Sequence, residues 1–168
     1  MRRRHRTLLW LAGICAALAI AVYFQIRREN VVDRLSAIDP AQVRSLRVEC
    51  RGCTTRRFER VDGHWQMREP SPVRADDAAV ERLLAIAGAP VRFRHPRGAL
   101  DAGKIGLDPP QAVLTLDATV LRFGATDAIN GDRYVDAGAT IALVPDRFSA
   151  LLFEPAEREM AVPPAAAQ

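Results

Sequence analysis

An uncharged run of twenty residues near the N-terminus constrains this chain more than any other feature. It extends from Thr7 to Ile26 and reads TLLWLAGICAALAIAVYFQI. About twenty apolar residues, rising ~1.5 Å each, cross the ~30 Å hydrocarbon core of a bilayer, so the run predicts a transmembrane anchor at residues 7–26. The four arginines of the preceding tail, residues 1–6, predict a cytoplasmic N-terminus. The expected location is therefore the bacterial inner membrane, with a single pass and a periplasmic C-terminal domain.

A cleaved secretory signal is the alternative reading of the same run. Ala17-Leu18-Ala19 fits the small-residue pattern of a cleavage site. The apolar stretch continues through Phe24, however, which is longer than the usual apolar region of about 7–15 residues. Length therefore favours an uncleaved anchor, and cleavage stays open as the alternative.

The charge of the chain is distributed unevenly around this run. The formal net charge is +4, but four of the 24 basic residues precede the run and all 20 acidic residues follow it. The remaining chain is formally neutral, and its basic residues do not form one stripe with interleaved aromatics. Nucleic acid is therefore not an expected partner.

The pattern after the run predicts an α+β fold, with one mostly antiparallel sheet and helices packed on one face. Apolar and polar residues alternate in several short segments, with turn signals such as Asp62-Gly63 between them. Asp76 or Asp77 caps a predicted helix that ends at Gly88, and Arg147 begins a last one that ends near Phe153. The predicted strands are 43–49, 54–61, 64–67, 91–93, 112–116, 119–123, 132–136 and 140–144. The predicted domain plan is a basic tail at 1–6, the anchor at 7–26, a linker at 27–42, the α+β domain at 43–153 and a disordered tail at 154–168.

Three groups of residues in this domain carry a family resemblance. They are Gly63-His64-Trp65 with Pro70, Pro72 and Ala75-Asp76; Ile105 to Pro110 (IGLDPP); and Leu121 to Gly124 with Gly131 to Val135. In this order they resemble the uncharacterised domain family numbered 4340, whose members are membrane-anchored extracytoplasmic domains found beside gliding-motility-type ABC transporter components. The resemblance covers roughly residues 43–153 and implies an accessory role at such a transporter. It supplies no catalytic residue, and Ile105 departs from the family, where an aromatic residue is common.

The same segments also predict structure directly. Gly106 and Gly124 are expected where φ is positive or where another backbone approaches closely. Trp65 and Tyr134 are expected as core or rim aromatics, with a ligand-stacking role as the alternative. Together with Phe93 they are the candidate contacts for a ligand or a partner.

Cys50-Arg51-Gly52-Cys53 is the sharpest local motif. A C-x-x-C pair forms a redox dithiol, half of a zinc site or a structural disulfide. A zinc site needs two further ligands that the sequence does not supply in a recognisable spacing. The residues after Cys53 read as a strand, so the helix dipole that activates redox cysteines is missing. A structural disulfide that closes a hairpin turn is the expected role, and redox activity stays open.

The expected function is non-catalytic, because no nucleophile elbow, phosphate-binding loop, HExxH or kinase motif is present. The sequence predicts an accessory or scaffold protein of an envelope complex, plausible partners being the membrane and the subunits of an ABC-type transporter. No cofactor and no metal are expected. The alternatives are a periplasmic thiol–disulfide protein that uses Cys50 and Cys53, or a domain that binds a small envelope ligand near Trp65, Phe93 and Tyr134.

Overall fold

The computed structural model describes residues 14–16, 18, 20 and 33–161. The chain divides into two compact units, Met1–Val32 and Asp33–Gln168. In the first unit the described residues are helical and exposed to solvent. In the second unit the described residues form a sheet, one α-helix and several short 3₁₀-helical turns.

No stretch of the described residues forms a helix that is long and apolar enough to cross a bilayer. A span needs about twenty residues, whereas the α-helix described in the second unit, Asp77–Ala85, has nine. This finding contradicts the predicted transmembrane helix and the predicted single-pass inner-membrane location, and neither prediction is carried further. Most of the run at residues 7–26, together with the flanking residues 1–6 and 27–32, lies outside the described residues.

The second unit is built on one antiparallel sheet of nine strands in the order β4-β3-β2-β1-β6-β7-β8-β9-β5. Strands β1 to β4 form one consecutive run of antiparallel neighbours, and β6 to β9 form another. The two runs meet at β1 and β6, while β5 lies at the far edge beside β9. The strand bounds are β1 Ser45–Cys50, β2 Arg56–Val61, β3 His64–Glu69, β4 Val73–Arg74, β5 Phe93–Pro96, β6 Ala112–Leu116, β7 Thr119–Thr126, β8 Asp132–Asp136 and β9 Thr140–Pro145.

The hydrophobic core lies on one face of this sheet, because apolar residues recur at every second position along the strands. The register places Leu46 of β1 between Phe58 of β2 and Leu116 of β6. Farther along the sheet, Val135 of β8 lies between Phe123 and Ala142. These side chains are all nearly inaccessible to solvent, so both runs of strands contribute to a single core.

Helix α1, residues Asp77–Ala85, covers part of this core face. The side chain of Asp76 accepts a hydrogen bond from the Ala78 N–H and caps the first turn. The helix buries its apolar stripe, including Val80 and Leu83, against the sheet. A 3₁₀-helical turn, Ile86–Gly88, continues it and leads the chain to the opposite edge of the sheet.

The predicted α+β class with several packed helices is wrong, since the described second unit is a nine-stranded antiparallel sheet with one α-helix. The predicted helix at 147–153 forms two 3₁₀-helical turns instead, Asp146–Phe148 and Ala150–Phe153. Ser149 explains the break: its hydroxyl donates to the main-chain carbonyl and to the carboxylate of Asp146. Such local side-chain bonds compete with the hydrogen bonds of an α-helix.

The segments before and after the predicted domain also pack onto it. Leu35, in the predicted linker, is buried and its N–H donates to the Ala89 carbonyl. In the predicted tail, Met160 forms a β-bridge with Ala75, and Glu159 is buried. Residues 154–161 are therefore a packed part of the structure and not a disordered tail, while 162–168 lie outside the described residues.

The tail segment is held by a buried ion pair with the sheet. Arg56 of β2 points to the core face, where it donates to the Glu159 carboxylate and, over 2.6 Å, to the Leu152 carbonyl. Burial raises the pKa of Glu159 to about 7, because desolvation outweighs the attraction of Arg56. A charged residue thus occupies a core position of β2 only because the tail segment brings it a partner.

Candidate functional site

The loop between β5 and β6 crosses the face of the sheet that lies opposite the core. Strand β5 lies beside β9 at one edge and β6 lies in the middle, so residues 97–110, here called the strap, pass over β7, β8 and β9. The sequence of β9 explains why this face needs a cover. Ala142 and Val144 face the core, whereas Ile141 points to the other face and is still only 3% exposed.

Two glycines allow the strap to dock against β7. A Cβ atom added at Gly124 would collide with the Ile105 carbonyl oxygen and lie 3.0 Å from the Leu107 side chain. Gly106 has a φ of 68°, and a Cβ there would lie 2.9 Å from the Ala125 nitrogen. The Ala125 N–H donates to the Ile105 carbonyl over 2.7 Å. The prediction that Gly106 and Gly124 permit positive φ or close backbone approach is therefore confirmed.

A groove of about 530 Å³ remains between the strap and the sheet. Its volume lies within the range of about 300–1,000 Å³ that is typical of ligand pockets. The strap and β9 supply apolar side chains, and β7, β8 and the strap supply charged ones. The residues that line this strap groove are Arg97, Gly98, Leu100, Ala102, Leu107, Asp108, Pro110, Arg122, Asp136 and Ile141.

Asp136 is the most deeply buried charged group of the groove. Its Oδ1 accepts from the Gly138 N–H over 2.9 Å, and its Oδ2 accepts from Arg97 Nη2 over 3.1 Å. Arg97 also donates to the Gly138 carbonyl over 3.2 Å. Arg97 and Asp136 thus form a hydrogen-bonded ion pair, and this pair fixes the start of the strap to the β8–β9 turn.

Arg122 is held much less tightly. It lies on β7 with β6 and β8 on either side, and alternation along the strand places its side chain on the strap face. Its nearest charged partner is Asp136, with 3.9 Å between Nη1 and Oδ2, and its side chain is 42% exposed. Among the described residues its guanidinium donates no hydrogen bond. The floor of the groove therefore offers a cation with available donors on a rigid central strand.

A second, shallower cavity of about 420 Å³ lies at the other end of the sheet, beside β3 and β4. The basic side chains that line it, His64, Arg68 and Arg74, have partners already. His64 Nδ1 lies 2.8 Å from an Asp77 oxygen, and Arg68 Nε donates to Glu59 over 3.0 Å. The Trp65 N–H and then His64 hold the pKa of Asp77 below its usual range. The strap groove is the better candidate site, because it combines an apolar wall with an arginine that donates no hydrogen bond to any residue in the described part of the chain.

The three aromatic residues predicted to contact a ligand do not come together. Trp65 lies on β3 and is buried in the core. Phe93 of β5 and Tyr134 of β8 both pair with Leu143 of β9, so these two share the opposite face near the far edge. Phe93 is 61% exposed there. None of the three lines the strap groove.

The cysteine pair lies at the connection between β1 and β2. The Sγ atoms of Cys50 and Cys53 are within bonding distance, with 5.4 Å between the Cα atoms. The Cys53 N–H donates to the Cys50 carbonyl, which closes the turn. This geometry is that of a hairpin-closing disulfide. No group of three or more His, Cys, Asp or Glu side chains within the described part of the chain is placed to hold a metal ion.

The sequence does not mark the groove residues as a site. Arg122 and Leu107 stand out in it only as parts of structural segments. One signal was present: residues 141–144 of β9 read Ile-Ala-Leu-Val, four consecutive apolar residues. Such a run indicates a strand that is buried on both faces and hence a cover on the second face.

The chain matches no family model, and no curated protein and no solved structure shows a significant similarity to it. The resemblance to the uncharacterised domain family numbered 4340, and the transporter partner that it implies, therefore stay predictions.

Proposed function

We propose that this protein is a non-catalytic binding domain that serves as an accessory or scaffold component of a protein complex, and that a segment of its partner occupies the strap groove. The observation that carries the proposal is the groove itself. The strap and β9 form an apolar wall, and beside it lies the Arg122 guanidinium, which donates no hydrogen bond among the described residues. Pockets of this composition bind by burying apolar surface and orient their ligand through a few polar groups.

The ionisable groups of the groove support binding rather than chemistry. Arginine keeps its proton in proteins, so Arg97 and Arg122 are suited to electrostatic recognition and not to proton transfer. Both oxygens of Asp136 already accept hydrogen bonds, from Gly138 and from Arg97. This carboxylate is therefore engaged in holding the strap to the β8–β9 turn.

The test compares peptide binding to the natural protein with peptide binding to a variant in which a larger side chain fills the groove. Ala102 lies on the strap, is exposed and lines the groove, so Ala102→Trp places an indole inside it. Ala150→Trp is the matched control, because Ala150 is also exposed but belongs to a 3₁₀-helical turn outside the groove. The full chain is screened against a bead-displayed library of random octapeptides.

The expected result is a set of peptides that bind the natural protein and Ala150→Trp but bind Ala102→Trp at least about tenfold more weakly, which corresponds to the loss of one well-packed contact region. Peptides that bind all three proteins equally, or the absence of any enriched peptide, contradict the assignment of the groove as the binding site.

A second candidate function is thiol–disulfide exchange by Cys50 and Cys53. The observation in its favour is that both residues are partly exposed in a turn, beside the exposed Arg51. In such an exchange a thiolate of a partner attacks one sulfur, and the other sulfur leaves as a thiolate. Replacing both cysteines by serine is expected to abolish turnover of a reduced test dithiol, which the Cys50–Cys53 disulfide oxidises while it is itself reduced to two thiols, if the pair is redox-active. Unchanged turnover with lowered thermal stability would assign the pair a structural role.

A further inference from the structure

We infer that the occupant of the strap groove is the C-terminal end of a polypeptide, held by its carboxylate at Arg122 and by an aliphatic last side chain against Leu107 and Ile141. This inference rests on the proposed binding function and adds the chemical class of the ligand. It follows from the charge of the groove, from the position of Arg122 and from the distance between the polar and apolar parts.

The charges that line the groove favour an occupant with one negative charge. Arg97 donates to Asp136 and to the Gly138 carbonyl, whereas Arg122 donates no hydrogen bond among the described residues and so has its donors available to a ligand. Asp108 also lines the groove, so the two arginines are matched formally by two aspartates. A dianion such as a phosphate monoester would meet Asp108 and Asp136 with only Arg122 in compensation, whereas a single carboxylate pairs with Arg122.

The side chain of Arg122 is suited to a carboxylate in particular. A guanidinium presents its N–H groups as a planar fork that matches the two oxygens of a carboxylate. Strand β7 is an interior strand, with partners along both edges, so the base of the side chain is fixed by the sheet. A fixed base lowers the conformational entropy that is lost when a ligand binds.

The apolar wall lies within the reach of one amino-acid residue from this fork. Leu107 packs over Gly124, which is two positions from Arg122 on the same face of β7, a separation of roughly 7 Å. Ile141 lies in the same row of the sheet as Arg122, with Asp136 between them, so it is about 10 Å away. A C-terminal residue carries its carboxylate and its side chain on one Cα atom. Its carboxylate can therefore pair with Arg122 while its side chain contacts Leu107 and Ile141.

The test compares two versions of the octapeptide library, one linked to the beads by its N-terminus with a free C-terminal carboxylate and one with the C-terminus amidated. The full chain is screened as the natural protein, Arg122→Ala, Arg122→Lys and Ala102→Trp. Arg47→Ala is the matched control, since Arg47 lies on the open face of β1, is 46% exposed and pairs with Glu49. Thermal unfolding confirms that each variant is folded.

The inference predicts enrichment of peptides that end in an aliphatic residue, from the free-carboxylate library only. Arg122→Ala is expected to weaken their binding about tenfold or more, Arg122→Lys less and Arg47→Ala not at all, because a charge-assisted pair is lost only in the first. Peptides enriched from both libraries that still fail to bind Ala102→Trp would overturn the carboxylate assignment and leave the proposed function intact. Failure to enrich any groove-dependent peptide would overturn both.

A competition experiment separates a peptide end from other aliphatic carboxylates. Decanoate is added to the natural protein with a bound, fluorescently labelled peptide from the selection. Displacement only at concentrations far above the peptide's own dissociation constant supports a peptide ligand. Displacement at an equal or lower concentration overturns the polypeptide assignment and identifies the groove as a site for small aliphatic carboxylates.

Discussion

The two halves of the sheet share one core but differ on the opposite face. In the first half, strands β1 to β4, that face carries charged side chains in contact with water, including the pairs Arg47–Glu49, Arg57–Glu59 and Arg68–Glu59. In the second half, strands β6 to β9, the strap covers the same face and buries Ile141. The difference teaches that strict alternation leaves a sheet face in solvent, whereas an apolar run such as β9 requires a cover.

The cover is also what creates the candidate site. After the first half, the chain crosses the core face through α1 to reach β5 at the far edge. It must then return to the middle of the sheet as β6, and the strap makes this return across the other face. The open face of the first half carries only the shallower cavity beside β3 and β4 among the cavities described above, and no strap within the described residues crosses it. The groove thus follows from the position of β5 in the strand order.

The largest effect is expected in the first half, at the ion pair between Arg56 and Glu159. Glu159→Ala leaves the Arg56 guanidinium buried without its carboxylate, and breaking a buried pair in this way costs about 3–5 kcal/mol of the free energy of unfolding. Urea unfolding of the full chain at pH 8 measures it. Glu157→Ala, on the same 3₁₀-helical turn but exposed, is expected to change little. Equal losses in both variants would show that the pair does not hold the tail segment.

The next effect tests the strap in the second half. Gly124→Ala places a Cβ atom against the Ile105 carbonyl and Leu107, and overpacking of this kind costs roughly 1–3 kcal/mol. Gly103→Ala is the control on the same strap, because its Cβ would meet an Asp101 oxygen at an ordinary 3.4 Å. Unfolding free energies of the two variants give the comparison. If Gly124→Ala is as stable as Gly103→Ala, the strap does not dock closely on β7.

The pH dependence of stability tests the buried Glu159 carboxylate on the core face. Burial raises the pKa of Glu159 to about 7, above the ordinary value of 4.5 that it takes when unfolded. Between these values the folded state binds more protons than the unfolded state, so the free energy of unfolding falls as pH rises from 4.5 to 7. The expected fall is on the order of 1–3 kcal/mol. Glu159→Gln should flatten this part of the curve, and a curve that is unchanged in the variant would assign the dependence to another group.

The smallest effect is expected on the open face of the first half. Glu59 contacts Arg57 and Arg68, but all three side chains are substantially exposed. Solvent-exposed ion pairs contribute about 0–1 kcal/mol, so Glu59→Ala should lower the free energy of unfolding by no more than about 1 kcal/mol. Raising the salt concentration should reduce the difference further. A loss comparable to that of Gly124→Ala would mean that this face is covered as the second half is.

Local patterns predicted the strands well where a turn and an alternation coincide. The predicted strands 112–116 and 132–136 match β6 and β8 residue for residue. Asp62 and Gly63 both have positive φ, as the hairpin signal requires. Asp76, one of the two predicted caps, is the residue that caps α1. In each case the physical cause lies within a few residues of the chain, so the sequence contains it directly.

The predictions failed where the deciding contact cannot be read from the apolar pattern of a segment. The segment at 147–153 has an apolar stripe that suits a helix, but Ser149 and Asp146 divide it into two 3₁₀-helical turns. Trp65 and Tyr134 were paired as candidate contacts, yet they lie on opposite faces of the sheet, since Trp65 is part of the core. The apolar run near the N-terminus suggested a membrane span that the described residues do not support.

The sequence alone determined the bounds of β6 and β8, the Asp62-Gly63 turn and the two glycines that let the strap approach β7, because these depend on local dihedral preferences and on steric limits. It did not determine that Arg56 would meet Glu159 across 103 positions, or that Arg122, Leu107 and Ile141 would line one groove. Those contacts depend on the order of the strands, and β5 reaches the far edge only through the packing of α1 on the core. The candidate site is therefore a consequence of topology, which many residues specify together.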